Sequence, residues 1–141
     1  MAECKVGVVG VGRMGEYHVG VLSDMREADL AGVVDSDQER AKIISEKYKT
    51  FAYSDYKKLF QKVDAVVISV PTALHYSIGK EFIEAGVHTL LEKPCTDNLG
   101  QAEELFELAA KKNVTLQIGH VERFNGAVQE LFKIVRNPIY I

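Results

Sequence analysis

The sequence predicts an α/β fold, a doubly wound parallel sheet in the order 3-2-1-4-5-6 with helices on both faces. Three observations predict it. Short β-branched runs alternate with longer amphipathic segments along the chain. The central runs are apolar on both faces, as parallel strands covered by helices require. A glycine-rich turn follows the first run directly.

The elements follow in order. "KVGVV" (5–9) is the first strand, and the segment 14–25 after the glycines is the first helix. "LAGVVD" (30–35) is the second strand. The helix 37–48 opens on Ser36-Asp37-Gln38-Glu39, which has the spacing of a capping box. "TFAYS" (50–54) is a weak third strand and "VDAVVISV" (63–70) a strong fourth. The helix 73–85 carries Leu74, Ile78 and Phe82 at four-residue spacing, and "GVHTLLE" (86–92) is the fifth strand. The helix 98–112 gathers Leu99, Ala102, Leu105, Phe106 and Ala109 on one face, with Asn98 and Gln101 placed to cap it. "NVTLQIG" (113–119) is the sixth strand. A last helix, 124–136, uses Val128, Leu131, Phe132 and Val135. Strands alternating with helices in this way imply right-handed βαβ crossovers.

"NPIYI" (137–141) is β-prone, apolar and uncapped. An unpaired terminal strand is an exposed edge that soluble proteins avoid, so either a neighbouring subunit pairs with it or a second domain follows, and the second reading is preferred. The expected division is the doubly wound sheet domain over 1–122, with a linking helix and the start of a second domain over 123–141.

Composition narrows the function. The 141 residues suit one domain with a full core, and 47% hydrophobic with 26% charged residues is ordinary for a globular chain. Seventeen basic against twenty acidic residues leave a net charge of −3, with no basic cluster to neutralise a nucleic-acid backbone. No apolar run approaches the roughly 18 residues of a membrane span, and the start lacks a signal-peptide pattern. Cys4 and Cys95 are too far apart in sequence for a metal-binding pair, and read as free thiols of a cytoplasmic protein. No metal site is expected.

Gly10-Val11-Gly12-Arg13-Met14-Gly15 follows a strand, opens a helix, and precedes Asp35 at the end of the second strand, about 20 residues on. That is the context of a dinucleotide-binding (Rossmann) turn. Gly10 permits the tight turn, Gly12 removes the side chain that would block a pyrophosphate, and Gly15 lets helix and strand pack closely. The N–H groups of Arg13 and Met14 then point at the phosphates with the positive helix end. Asp35 accepts from the adenosine ribose hydroxyls and repels a 2′-phosphate, so NAD is favoured over NADP. Arg40, one turn into the next helix, is either a softener of that preference or a solvated residue. Ser36 either touches the adenosine or caps the helix. Gly7, inside the strand, serves close packing.

At "LLEKP" (90–94) and "GHVERFN" (119–125), together with "GRMG", "VVDSD" and "VISVPTALHYSIGKEFIEAGVHTLLEKP", the sequence resembles the glucose–fructose oxidoreductase, inositol dehydrogenase and rhizopine-catabolism family of NAD(P)-dependent oxidoreductases. The "GHVERFN" ending is most similar to the branch acting on nucleotide-linked N-acetylhexosamines. The resemblance implies that Val70, Pro71, Thr72 and His75 line the nicotinamide half of the cleft, and that Glu92 contacts the nicotinamide ribose or amide. It implies that Lys93 sits beside the reacting hydroxyl, that the Lys93–Pro94 bond is cis, and that Arg123, near His120 and Glu122, lies close to cofactor or substrate. Partial burial beside a cationic ring helps a lysine release its proton, and such a lysine can hold or relay the proton leaving an alcohol. Without the resemblance, His75 reads as a surface or capping residue, Glu92-Lys93 as an exposed ion pair, and Arg123 as a structural salt bridge to an acid such as Glu122. Cys95 is given no role.

The resemblance also implies a second domain that shapes the sugar pocket, adds an acid/base residue and forms a homo-oligomer. The reading that follows is an NAD-binding domain of an oxidoreductase acting on a secondary hydroxyl of a sugar or nucleotide sugar. Its alternatives are a non-catalytic NAD-binding sensor, an inositol or free-sugar dehydrogenase fragment, and an S-adenosylmethionine-dependent methyltransferase.

Overall fold

The structure, a computed structural model, describes residues 4–136; "NPIYI" (137–141) lies outside them. The elements in order are β1 (Cys4–Val9), α1 (Arg13–Asp24), β2 (Ala28–Val34), α2 (Gln38–Lys47), β3 (Ala52–Tyr53), β4 (Ala65–Ile68), α3 (His75–Glu84), β5 (His88–Leu91), α4 (Leu99–Lys112), β6 (Leu116–Ile118) and α5 (Gly126–Ile134). The strands form one sheet in the expected order, β3-β2-β1-β4-β5-β6, and every pairing is parallel.

Side chains alternate across the strands into two cores. Val6, Val8, Val33 and Val67 meet Val19 of α1 and Ile44 of α2 on one face. Val9, Val34, Val66 and Ile68 meet Leu59, Phe82 of α3 and Leu105 of α4 on the other. Phe82 is fully buried, with Phe60 edge-to-face at 4.8 Å. Truncating such a ring costs about 3–5 kcal/mol. Gly7 does serve packing: a Cβ there would stand 2.8 Å from Leu59 Cδ1.

Several local expectations are corrected. The capping residue of α2 is Asp37, whose carboxylate accepts from the Arg40 N–H at 3.0 Å; Ser36 does not cap it. The helix expected from 73 begins as a 3₁₀ turn, Thr72–Leu74, after Pro71, and becomes α-helical only at His75. The β3–β4 crossover is a 3₁₀ helix, Tyr56–Leu59, capped by Asp55 and anchored by the buried Leu59. A single 3₁₀ turn is too short to carry a helical period. Leu74, Leu99 and Phe106 are exposed, because the inward sides of their helices are taken by Ile78 and Phe82 in α3 and by Leu105 and Ala109 in α4. In α5, Leu131 and Phe132 are exposed as well, as is Val135 just beyond its end. Asn98 caps α4 as expected, accepting from the Gln101 N–H at 3.0 Å, and Asn113 ends it in the left-handed conformation, φ 56°.

Candidate functional site

β1 and β4 are neighbours, but their crossovers leave to opposite sides of the sheet, which opens a crevice at the carboxyl ends of the strands. A cleft of about 720 Å³ lies there, lined by Gly10, Gly12, Asp35, Arg40, Val70 and Leu74 among others.

The three glycines of the turn differ in what they do. Gly10 has φ +84°, a conformation side chains rarely adopt, and its N–H donates to Val34 O at 2.8 Å, tying the turn to β2. At Gly15 a Cβ would collide with the Gly10 carbonyl oxygen, so its absence lets α1 sit against the turn. Gly12 is at φ −64°, ψ −167°, an extended conformation open to any residue, and a Cβ there would meet nothing nearer than Arg40 Nη1 at 4.0 Å. Nothing in the fold requires glycine at position 12. The space it keeps clear belongs to the cleft.

Above Gly12, no side chain caps the first turn of α1, whereas α2, α4 and α5 are capped by Asp37, Asn98 and Asn125. The first-turn N–H groups of α1, including those of Arg13 and Met14, carry the positive end of the helix dipole toward the turn and are available to an anion. The side chains of Arg13 and Met14 are exposed.

Asp35 is buried. Its Oδ2 accepts from the Val11 N–H at 2.8 Å and its Oδ1 from the Asp37 N–H at 2.8 Å. Oδ2 keeps a second lone pair to accept a hydroxyl donor from the cleft, and the second acceptor position of Oδ1 is taken only by the rotatable Ser36 hydroxyl. Arg40 leans over this carboxylate, Nη1 at 3.6 Å from Asp35 Oδ2 and Nη2 at 3.2 Å from Asp37 Oδ2. Ser36 lines the cleft with Oγ 3.5 Å from Asp35 Oδ1. The turn and acid thus fit the pyrophosphate and ribose of a dinucleotide.

On the other side of the crevice, Val70 and Pro71 line the cleft and Thr72 is half-buried at the start of the 3₁₀ turn. His75 is neither a surface nor a capping residue, and its ring does not face the cleft. It is fully buried, with Nδ1 2.8 Å from Pro94 O and Nε2 2.9 Å from Val70 O. It holds two loops of the crevice together from behind.

Glu92 and Lys93 follow β5 immediately, and the Lys93–Pro94 bond is cis, as the resemblance implies. The two do not form an ion pair. The Glu92 carboxylate is buried and faces α1, where His18 Nε2 donates to Oε1 at 2.8 Å; Oε2 accepts from the Lys93 N–H at 3.1 Å. Lys93 is exposed where partial burial was expected, and its Nζ makes no hydrogen bond or ion pair among the described residues. Burial pushes the Cys95 thiol up from its ordinary value, the opposite of an activated cysteine.

Arg123 is not brought to the main cleft. It lies in the 3₁₀ turn Val121–Phe124, beside a separate hollow of about 420 Å³ that it shares with His120, Phe106 and Phe124. Among the described residues it forms no salt bridge; Glu122 instead accepts from Asn125 Nδ2.

Sequence reasoning missed two participants. His18 stands three positions after the inward-facing Gly15, which puts it on the same helix face, and that spacing was a usable signal. Gly119 opens "GHVERFN", where a Cβ would stand 3.0 Å from Glu92 Oε1; the glycine makes room for the carboxylate. Neither can be paired with Glu92 from the sequence alone.

A parallel sheet in this order, a glycine turn into an uncapped helix, and an acid at the end of β2 define a dinucleotide-binding domain. Comparison with known proteins specifies it further. Residues 4–120 match the model of the Gfo/Idh/MocA oxidoreductase family, NAD-binding Rossmann fold, and the chain belongs to that family. It is 35% identical over 131 residues to a UDP-N-acetylglucosamine 3-dehydrogenase of Acidithiobacillus ferrooxidans, across 93% of this chain and 41% of that protein. The solved structure of that enzyme superposes with a TM-score of 0.88 at 34% identity, covering 94% of this chain and 43% of the other. GenD2 from gentamicin A biosynthesis, solved in complex with NAD, gives a TM-score of 0.82 at 30% identity, over 84% of this chain and 35% of the other. A myo-inositol 2-dehydrogenase of Thermotoga maritima is 30% identical over 136 residues, 94% of this chain and 41% of that protein. The chain thus spans well under half the length of these relatives. No helix among the described residues is long and apolar enough to cross a membrane.

Proposed function

We propose that this domain is the coenzyme-binding part of a dehydrogenase that transfers a hydride between a secondary hydroxyl of a sugar or nucleotide sugar and NAD, with Lys93 as the proton-transfer residue. Gly12 carries the coenzyme half of this reading. Its backbone conformation suits any residue and its missing side chain opens only onto the cleft. A bare main chain beside an uncapped helix start is what a pyrophosphate needs.

The turn 10–15 holds the pyrophosphate, with N–H donors from Arg13 and Met14. Asp35 accepts from the adenosine ribose, Ser36 stands at its rim, and Val70, Pro71 and Thr72 border the path toward the strand ends of β4 and β5. A bound nicotinamide ring supplies the hydride acceptor. As the carbinol carbon loses hydride, its oxygen must lose a proton. Lys93 Nζ, without a hydrogen-bond partner among the described residues, takes up that proton and returns it in the reverse direction. Glu92 and His75 act from behind this lysine. The nucleotide-sugar class is supported by the Acidithiobacillus relative and by the "GHVERFN" segment, although its Arg123 stands at a hollow separate from the cleft. The exposed apolar side of α5 suits cover by a following domain or a second subunit, and the two free thiols suit a reducing cytoplasm.

The test is a calorimetric comparison of NADH and NADPH. We expect NADH to bind more tightly, because the Asp35 carboxylate repels a 2′-phosphate, and Asp35→Ala to narrow the gap. Equal affinities in the unmodified chain contradict the coenzyme assignment.

A further inference from the structure

Lys93 stands between two residues that helices on opposite faces of the sheet hold in place. On its downstream side, the Pro94 carbonyl faces Nδ1 of His75, from α3. On its upstream side, the buried Glu92 carboxylate divides its oxygens. Oε1 takes the hydrogen bond from His18 of α1, and Oε2 takes the main-chain N–H of Lys93 itself. Gly119 leaves that carboxylate its space at the end of β6, where a Cβ would lie 3.0 Å from Oε1 and 3.2 Å from Oε2. No other side chain among the described residues bonds to Glu92, so His18 and the Lys93 N–H together set the direction of the carboxylate.

His18 belongs to the helix whose first turn faces the phosphate position, and Glu92 precedes the lysine that faces the reacting end. A single hydrogen bond across 74 residues of sequence therefore ties the two halves of the crevice together. The pair is little exposed, 20% for the His18 side chain and 8% for that of Glu92, so water competes weakly for either partner.

We infer that His18 is a positioning residue: by fixing the Glu92 carboxylate it fixes the Lys93 main chain relative to α1, and so the geometry of the nicotinamide half of the site. The inference rests on the reading of this crevice as an NAD site.

The experiment titrates the chain with two probes, NADH and ADP-ribose, which shares the pyrophosphate and both riboses but ends before the nicotinamide. His18→Leu removes the donor. His18→Gln replaces it with an amide N–H of similar reach. In His18→Leu we expect NADH to bind about tenfold more weakly, with reduced fluorescence of the bound nicotinamide, while ADP-ribose affinity stays within about twofold. His18→Gln should restore both NADH signals. ADP-ribose binding also establishes that the variant is folded. Unchanged NADH binding in His18→Leu, equal weakening of both probes, or failure of glutamine to rescue each overturns the inference while leaving the coenzyme reading standing. An unmodified chain that binds neither probe overturns both.

Discussion

On the β1–α1–β2 side of the crevice the main chain builds most of the site. A positive-φ glycine, an uncapped helix start and an acid bonded to two backbone N–H groups all lie within residues 10–37. On the β4–β5–β6 side, side chains from separate elements build it. His18 reaches Glu92, His75 bridges Val70 and Pro94, and Gly119 makes room for a carboxylate from another strand. The first half is a local motif that can be carried intact by a short stretch of chain. The second exists only once the sheet has formed, so it is the half whose geometry depends on residues far apart in sequence.

The contrast can be broken most forcefully at Gly15. Gly15→Ala drives a Cβ into the Gly10 carbonyl, and we expect a loss of roughly 3 kcal/mol in urea unfolding together with loss of NADH binding. Tolerance of alanine there would remove the main-chain half of the comparison. Asp35→Ala comes next. It strands the Val11 and Asp37 N–H groups, costing about 2 kcal/mol in the same assay, and lowers the NADH-over-NADPH ratio about tenfold by calorimetry. On the side-chain half, His75→Leu removes the ring whose two nitrogens face the Val70 and Pro94 carbonyls, and with it the one N–H that a neutral imidazole donates there. It should cost about 1–2 kcal/mol and weaken NADH without weakening ADP-ribose. The smallest effect on folding belongs to Lys93→Ala. With an exposed side chain, unpartnered among the described residues, it should shift stability by no more than about 0.5 kcal/mol yet reduce dehydrogenase turnover about 100-fold or more in a protein that carries a second domain as well. A large stability loss there would make Lys93 a structural residue.

What the sequence made legible follows the same division. Strand order, the tight turn at Gly10 and the close packing at Gly15 could be read because each depends on residues close in the chain and on periodicity. Helix capping was legible at Asn98 and one residue out of register at α2, where Asp37 outcompetes Ser36 because the Ser36 hydroxyl points toward Asp35. The turn Tyr56–Leu59 was not legible, because it is shorter than a period. The inward turn of Glu92 and the burial of His75 were hidden for a different reason. Their partners, His18 and Pro94, are set by tertiary packing, and no local spacing encodes them. Arg123 shows the limit of a motif carried by resemblance: it can be named in "GHVERFN", but its hollow beside β6 is separate from the main cleft.

The most direct measurement is a calorimetric NADH titration of the unmodified chain beside Gly12→Val, with urea unfolding of both. Because position 12 already has a backbone conformation open to valine and faces only the cleft, we expect the variant to unfold within about 1 kcal/mol of the parent while its heat of NADH binding disappears. NADH binding that survives the valine undiminished, or a parent chain that gives no heat at all, would contradict the dinucleotide site.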